Sequence, residues 1–262
     1  KASVAWRNAK VGEKYLATYA CTSEYSGSAG TRRASIGTFC HEFGHVLGLP
    51  DLYDTGYKYY TVSNWSIMCS GNYNNNGRTP PTYSAYERFF LGWLAPEQLT
   101  EKGIYSMEPL QEANQAYLIA DKTHNLNGGT PNPSEFFILE YRTKTGWDTY
   151  LPGSGMLVWH IDYLASAWYQ NTLNDGPNFL RIHLEEANGI SWNQRKNGEN
   201  GRTSDPYPGT NNVTSFTPKL HDGTVLSDQN VLAITDNNTW LSFVYQGLGN
   251  IKLSTDVQDI TL

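Results

Sequence analysis

The sequence has no excess of basic residues and no long apolar run, and it contains only three cysteines. Its 19 lysines and arginines are outnumbered by 25 aspartates and glutamates, so the formal net charge is −6. This balance gives no electrostatic reason to expect nucleic acid or an anionic membrane as a partner. No apolar stretch could span a bilayer and no signal-peptide pattern is present. We therefore expect a soluble chain from which any export signal has been removed or left out.

One short segment, GTFCHEFGHVLGLPDLYD at residues 37–54, concentrates groups that bind metal ions. Apolar residues recur through it at spacings of three and four, which predicts a helix that buries one apolar stripe. The stripe consists of Ile36, Phe39, Cys40, Phe43, Val46 and Leu47. On this helix His41 and His45 lie one turn apart and can converge on one ion. The helix should end near Leu47, with Gly48 in a left-handed conformation that turns the chain back.

The same segment contains H-E-x-x-H followed by x-x-G-x-x-D. Two imidazoles at this spacing are zinc ligands, and Glu42 beside them can act as a general base on water. With Asp51 three residues after Gly48, the string is the metzincin pattern with aspartate in place of the third histidine. Asp51 is therefore the expected third ligand, although Asp54 is an alternative. A charged helix face that carries two histidines by chance is the alternative for the pentad alone.

A methionine follows in the turn WSIMCSG, residues 65–71. In metzincins such a methionine lies beneath the metal, and Met68 is the candidate here. A core methionine that fills a gap is the alternative interpretation. Many metzincins place a tyrosine two residues after the methionine, where this chain has Ser70. Tyr73 or Tyr83 would then have to replace it.

Several segments, taken together and in order, resemble the immune inhibitor A-like family of secreted bacterial metallopeptidases. They are HEFGHVLGLPDLYDT, WSIMCSG, PPTYSAYERFFLGWL, EFFILEYR, WDTYLPGSGMLVWHID and DPYPG. The resemblance extends from about Gly37 to about Gly209 and is most specific in the zinc string and in LPGSGMLVWHID. It implies a secreted zinc endopeptidase that acts on protein or peptide substrates outside the cell.

The pattern of the chain changes at about residue 103. Before it, KYLATYACTSEY predicts a strand and TYSAYERFFLGWL predicts a helix that packs under the methionine turn. After it, period-two runs separated by Gly, Pro and Asn clusters predict an antiparallel β-sandwich. The runs are AYLIA, EFFILEYR, GMLVWHID, FLRIHLEE, VLAITDN, WLSFVYQ and IKLST.

We therefore expect an α+β fold in two parts. Residues 1–102 would form a metzincin-like catalytic core with the zinc helix and the Met-turn, and residues 103–262 a β-rich, antiparallel, sandwich-like subdomain. Metzincins place a larger sheet before the zinc helix than the one strand visible here. The N-terminal sheet is accordingly expected to be truncated, because the chain is either a fragment or a reduced version of the family.

A second polar group lies at the ends of apolar runs: His160 and Asp162 in VWHID, with Glu140 in ILEYR. It could approach the zinc cleft, hold calcium with its carboxylates, or be a buried hydrogen-bonded histidine that joins strands. Asp205 in SDPYPG is either a calcium ligand or a turn former.

The three cysteines, Cys21, Cys40 and Cys69, leave a choice as well. Cys40 and Cys69 directly neighbour His41 and Met68, so a disulfide between them could tie the helix to the turn. Free buried thiols are the favoured alternative.

Two functions are compatible with these patterns. The first is a secreted, monomeric zinc endopeptidase, with calcium as a further candidate ion. The second is a non-catalytic extracellular binding or adhesion module with a structural zinc site. Glu42 favours the enzyme, because a module without catalysis has no need of a base beside both histidines.

Overall fold

A computed structural model describes residues 10–15, 19–26, 30–176, 180–190 and 201–247. Within these ranges the fold combines a few short helices with several sheets, in agreement with the α+β prediction at that level. The α-helices are α1 (Ile36–Leu47), α2 (Ala85–Phe90), α3 (Leu110–Ala113) and α4 (Ala165–Gln170). Short 3-10 helices lie at Ser63–Trp65, Ser70–Tyr73, Gly146–Tyr150 and Ser227–Gln229.

The described strands run from the N-terminal region to residue 245. They are β1 (Lys10–Val11), β2 (Lys14–Tyr15), β3 (Tyr25–Ser26), β4 (Arg32–Arg33), β5 (Glu97–Gln98), β6 (Gly103–Met107), β7 (Tyr117–Ile119), β8 (Glu135–Arg142), β9 (Gly155–Asp162), β10 (Ile182–Leu184), β11 (Ser215–Phe216), β12 (Val231–Asp236) and β13 (Leu241–Tyr245).

Two larger sheets form the β-rich part of the molecule. A five-stranded sheet has the order β10-β9-β8-β7-β5, antiparallel except for the β5–β7 pair, and a four-stranded antiparallel sheet has the order β11-β12-β13-β6. Apolar side chains of both sheets share one buried cluster, in which Phe137 and Leu139 of β8 lie with Val231 of β12 and Phe243 of β13. The two sheets therefore pack face to face, as a sandwich-like arrangement requires.

The other face of the five-stranded sheet packs against the helical part of the chain. Its core contains Phe136 and Trp159 from the sheet together with Trp65, Met68 and Phe89. This cluster joins residues from both sides of position 102, so the two predicted parts share one core. The division at 102/103 stays a prediction.

Most predicted strands occur at the predicted places, and β8 and β9 match their predicted runs from end to end. IKLST at 251–255 lies outside the described residues. The single strand predicted for residues 14–25 is wrong, because residues 19–24 are not extended into a ladder and only the short β2 and β3 form around them. The helix predicted in TYSAYERFFLGWL is present but is only α2.

Helix α1 ends at Leu47 as predicted, and Gly48 has φ 103° in the left-handed region with its N–H donating to the carbonyls of Gly44 and His45. The predicted buried stripe is wrong. Ile36, Phe39 and Phe43 are each nearly half exposed, whereas the buried positions of α1 are Gly37, His41 and Gly44. Periodicity identified the helix, but two glycines and one histidine face inward.

Close backbone approach explains this inward glycine face. A β-carbon at Gly37 would lie 1.9 Å from the carbonyl oxygen of Asn72, and the N–H of Gly37 donates to the carbonyl of Gly77. Two turns along, a β-carbon at Gly44 would lie 2.5 Å from the sulfur of Met68. Larger side chains would push the helix away from residues 66–77.

The segment at residues 65–71 is anchored from below by α2. Ser84 and Glu87 form a capping box at the start of α2. The second oxygen of the buried Glu87 carboxylate accepts a hydrogen bond from the Ser66 hydroxyl at 2.6 Å, and Ser66 Oγ accepts from the backbone N–H of Met68. The predicted packing of this helix under the methionine turn therefore rests on a buried carboxylate as well as on apolar contacts.

All three cysteines are free thiols: Cys21 is exposed, Cys40 is half-buried and Cys69 is buried. The alternative of a Cys40–Cys69 disulfide is thus absent from the structure. Burial raises the pKa of both the Cys40 and the Cys69 thiol, so both favour the protonated form. In the part of the chain that the structure describes, no helix is long and apolar enough to cross a membrane.

Gly37→Ala should destabilise the fold, because the added methyl would overlap the Asn72 carbonyl. Overpacking of this kind costs about 1–3 kcal/mol of unfolding free energy, which urea denaturation followed by circular dichroism would measure. Gly176→Ala is the matched control, since a β-carbon there meets nothing within 4 Å. Equal denaturation midpoints for the two variants would show that α1 does not rest on the backbone at Asn72.

Candidate metal centre

His41 and His45 project from neighbouring turns of α1, and the turn at Gly48 brings Asp51 back towards both. The rings of the two histidines meet edge to face with centroids 4.9 Å apart. His41 and Asp51 are buried, and the His45 side chain is one-third exposed. One atom from each of the three residues lies within 4.8 Å of the other two. The spacing in sequence thus produces convergence in space.

The tautomers of both histidines are set by backbone carbonyls. Nδ1 of His41 lies 2.8 Å from the carbonyl oxygen of Ile67, and Nδ1 of His45 lies 2.8 Å from that of Leu49. A carbonyl oxygen can only accept, so Nδ1 must carry the hydrogen in each ring. The neutral rings then present the lone pair of Nε2, the form in which imidazole binds a metal ion.

Both Nε2 atoms lie close to one carboxylate oxygen. Oδ1 of Asp51 lies 3.1 Å from Nε2 of His41 and 3.2 Å from Nε2 of His45. This oxygen is buried and receives no hydrogen bond from the residues that the structure describes. Three acceptors facing one another repel, so the arrangement needs a positive charge, either protons on the rings or a metal ion between the three atoms.

The distances fit zinc. Donor atoms bound at about 2.0–2.1 Å in a tetrahedral site lie roughly 3.3 Å apart, close to the two nitrogen–oxygen separations of Asp51. Two imidazoles and one carboxylate are also a donor set that zinc accepts, with one position left over for water. His41, His45 and Asp51 are therefore suited to hold the ion.

A residue that the sequence analysis did not identify holds Asp51 in place. Nδ2 of Asn171 donates to Oδ2 of Asp51 at 2.6 Å, and the backbone N–H of Asp51 donates back to Oδ1 of Asn171 at 2.7 Å. Asn171 ends α4 in a left-handed conformation, φ 57°. It lies far along the chain from the zinc string, so no local pattern could have indicated it.

The pKa values show how strongly this place favours positive charge. Although burial opposes it, the two imidazoles and Asn171 hold the pKa of the Asp51 carboxyl well below its usual range. The neighbouring Asp51 carboxylate raises the pKa of His45 despite partial burial. A proton on His45 or a metal ion would supply the positive charge that this place favours.

The structure places Asp51 and not Asp54 against the histidines. Asp54 is buried, and its carboxylate accepts from the backbone N–H groups of Gly56, Lys58 and Tyr59. It shapes the loop after the zinc string. Met68, fully buried, lies under α1 with its sulfur against Gly44, between the two histidines along the helix.

Glu42 is half-buried and lines, together with His41, a cleft of about 600 Å³. The wall of this cleft carries the tyrosines Tyr53, Tyr57, Tyr59, Tyr60 and Tyr73. Most of them belong to the loop that Asp54 shapes, and the rings of Tyr53 and Tyr57 stack with centroids 5.6 Å apart. The cluster of His41, His45 and Asp51 thus adjoins a cleft that has room for a ligand and carries a carboxylate on its edge.

Tyr73 and Tyr83, the two predicted substitutes for the tyrosine that is absent at Ser70, lie in different places. Tyr73 is exposed and lines the cleft, as Ser70 does. The hydroxyl of Tyr83 instead donates to the carbonyl of Cys40 beneath α1, where it supports the helix. Tyr53 was not considered from the sequence, yet its ring stacks 6.2 Å from that of His41.

The members of the second predicted polar group, Glu140, His160 and Asp162, lie on different faces of the five-stranded sheet. Side chains alternate along a strand, so Glu140 of β8 faces the helical part, whereas His160 and Asp162 of β9 lie on the opposite face. His160 therefore does not approach the zinc cleft. Glu140 pairs instead with the fully buried Arg142 at 3.0 Å, which also binds Asp148 at 2.8 Å.

The candidate calcium ligands take other roles. Asp205 is buried and accepts from Trp65 Nε1 at 3.0 Å and from Asn188 Nδ2 at 2.8 Å, so it joins a turn to the core. Calcium takes six to eight oxygen ligands, and the side-chain clusters found among the described residues are built on histidine. The expectation of calcium gains no support from them.

Asn171→Gly should weaken zinc binding by about 10–100-fold, the usual effect of removing a partner that orients a ligand. Glycine adopts the positive φ without cost, so the change removes only the amide that holds Asp51. The affinity is measured by competition with a chromophoric chelator. Asn114→Gly, at the left-handed end of α3 with φ 50°, is the matched control. Equal affinities for both variants would contradict a positioning role of Asn171.

Comparison with known proteins finds similarity in the part of the chain that contains His41, His45 and Asp51. The model of the immune inhibitor A peptidase M6 catalytic domain matches residues 9–94, about a third of the chain. The pre-pro-metalloprotease PrtV of Vibrio cholerae serotype O1 is 42% identical over 77 residues, which cover 26% of this chain and 8% of that protein. Immune inhibitor A of Bacillus thuringiensis subsp. alesti is 38% identical over 61 residues, which cover 22% of this chain and 9% of that protein.

The chain thus spans less than a tenth of the length of the curated relatives it matches. The matched residues 9–94 include α1, the turn at Gly48 and Asp51. Over that part, the chain is similar to the immune inhibitor A peptidases, in agreement with the resemblance that its sequence motifs indicated.

Proposed function

We propose that this chain carries the catalytic centre of a secreted zinc-dependent endopeptidase that hydrolyses proteins or peptides outside the cell. The observation that carries the proposal is the convergence of His41, His45 and Asp51 beside a cleft that Glu42 lines. The peptidase family match and the metalloprotease relative support it. Neither the composition nor the charge suggests another macromolecular partner, and we propose a monomer.

In this proposal His41, His45 and Asp51 hold zinc, and residues 1–102 are a metzincin-like core with Met68 as the floor of the site. The ion, when bound, polarises the scissile carbonyl and acidifies water. Glu42 takes the proton from the attacking water and passes it to the leaving amine. It follows His41 directly and so points about 100° away around the helix, which leaves it beside the ligands and not among them.

The tyrosine wall suits a polypeptide substrate. Phenol rings provide apolar contact area and a hydroxyl that can donate to peptide carbonyls. Tyr53 is the candidate for the donor that metzincins place after their methionine. Burial and the Asp51 carboxylate raise the pKa of Tyr53, so its hydroxyl keeps the proton that a donor needs.

The alternative is an extracellular binding or adhesion module with a structural zinc site. It shares the metal ligands and the β-rich sandwich, so metal binding alone does not separate it from the enzyme. Glu42 does. A structural site has four protein ligands and needs no base, whereas here a carboxylate lies on a cleft next to a three-ligand cluster.

Glu42→Gln should leave zinc binding nearly intact and reduce hydrolysis of an unfolded protein substrate by about 10²–10⁴-fold, the usual contribution of general acid–base catalysis. His45→Ala should lose both. Zinc content by mass spectrometry and fluorescence of a quenched peptide mixture measure the two effects, in the longest natural form of the protein as well as in this chain.

The exposed Glu101→Gln is the matched control, because it makes the same chemical change away from the cleft. It should alter neither zinc content nor hydrolysis. If the Glu42 variant keeps its zinc and its full hydrolytic rate, the enzyme proposal fails and the binding module takes its place.

A further inference from the structure

The histidines of this chain are not scattered. It has six, and five of them lie in two clusters: the pair on α1 and a second group formed by His160, His183 and His221. One ring nitrogen from each member of the second group lies within 4.8 Å of the other two, the same convergence as in the first. Nothing in the proposed hydrolysis uses this second cluster.

The fold brings these three histidines together from different elements. His160 of β9 and His183 of β10 are direct partners in the ladder, so their side chains share one face of the five-stranded sheet. His221 comes from the loop between β11 and β12, and its ring stacks on that of His160 with centroids 4.3 Å apart. This face is the one that packs towards the four-stranded sheet, away from α1.

Carboxylates surround the buried His160 on both sides. Its Nδ1 lies 2.8 Å from Oε1 of Glu185, and its Nε2 lies 2.9 Å from Oε1 of Glu135. A neutral imidazole has one hydrogen and can donate to only one of the two oxygens. The other contact joins two acceptors unless a positive charge is present.

His183 shows the same excess of acceptors. Its Nδ1 faces the carbonyl oxygen of Leu180 at 3.3 Å and is therefore the nitrogen that carries the hydrogen. Its Nε2 then presents a lone pair, yet lies 3.3 Å from the same Glu185 oxygen that contacts His160. The Glu185 carboxylate oxygen thus faces two imidazole nitrogens.

His221 is the third histidine of this cluster. Its Nδ1 lies 3.5 Å from Oε1 of Glu135 and 3.5 Å from Oδ2 of Asp162. With its hydrogen towards these carboxylates, Nε2 carries the lone pair of the ring and is the nitrogen that would bind an ion. Glu135 and the Leu180 carbonyl thus face the outer nitrogens of His160 and His183, while the inner nitrogens of both rings face the shared Glu185 oxygen, an order similar to the carboxylate–histidine–metal arrangement.

The charges of the cluster match a divalent cation. Glu135, Asp162 and Glu185 bring three negative charges, and Arg181, which pairs with Asp162 at 2.9 Å, brings one positive charge. With neutral imidazoles the sum is −2. A buried imidazole between uncompensated carboxylates is costly, and a doubly charged ion would balance the group.

We propose a second metal site in which His160, His183, His221 and Glu185 bind a divalent transition metal of the zinc class. Three imidazoles and a carboxylate match the ligand preference of zinc, and four protein ligands make a closed, structural site. Glu135 and Asp162 orient the histidines from outside. The ion would fasten the loop that carries His221 to the five-stranded sheet.

The test uses the full chain with the first cluster removed, as the double variant H41A/H45A. After dialysis against trace zinc, mass spectrometry of the metal content should find one zinc per chain. Adding His183→Ala should abolish that zinc, whereas adding His124→Ala should keep it. His124 is the matched control, because it is the buried histidine outside both clusters.

A second readout needs no further substitution. Cobalt added to H41A/H45A should give visible absorption bands of a four-coordinate ion and should raise the melting temperature. Absence of both zinc and cobalt bands from H41A/H45A would overturn the proposal, as would zinc retained after His183→Ala. Because the first cluster is deleted throughout, the result does not depend on whether the chain is a peptidase.

Discussion

His41, His45 and Asp51 turn three hydrogen-bond acceptors towards one point, and acceptors so arranged repel one another unless a cation joins them. Much of the surrounding structure serves this convergence. Backbone carbonyls of Ile67 and Leu49 fix the ring tautomers, and Asn171 fixes the carboxylate. In an ordinary core this repulsion would only destabilise the fold. Here a cation between the three atoms would replace it with attraction.

The parts of this centre that depend on local sequence were predictable. Helical spacing fixes which histidines share a face, and a glycine that adopts positive φ turns the chain so that Asp51 returns. Asn171 was not predictable, because α4 meets the zinc string only in the folded chain. The inward face of α1 was mispredicted because hydrophobic periodicity assumes side-chain burial, whereas Gly37 and Gly44 allow backbone and sulfur to approach.

The strands show the same division between local and non-local information. Period-two alternation located β8 and β9 to the residue, but only the register of their pairing shows that Glu140 and His160 face opposite sides. The sequence analysis grouped them because they end similar apolar runs. Parity separates them only once Glu140 is known to pair with Leu157, whereas His183 and Glu185, two residues apart, would have been expected on one face. His221 lies in a turn and left no such signal.

The carboxylate of Glu87 connects α2 to the metal centre through Ser66, which accepts from the backbone N–H next to the carbonyl that holds His41. The rings are thus ordered when the chain folds, and little rotational entropy is left to lose when an ion arrives. Release of a bound ion would then be coupled to local opening of residues 65–71. The residence time of a metal ion would follow the opening rate of that turn, which a helix outside the site controls.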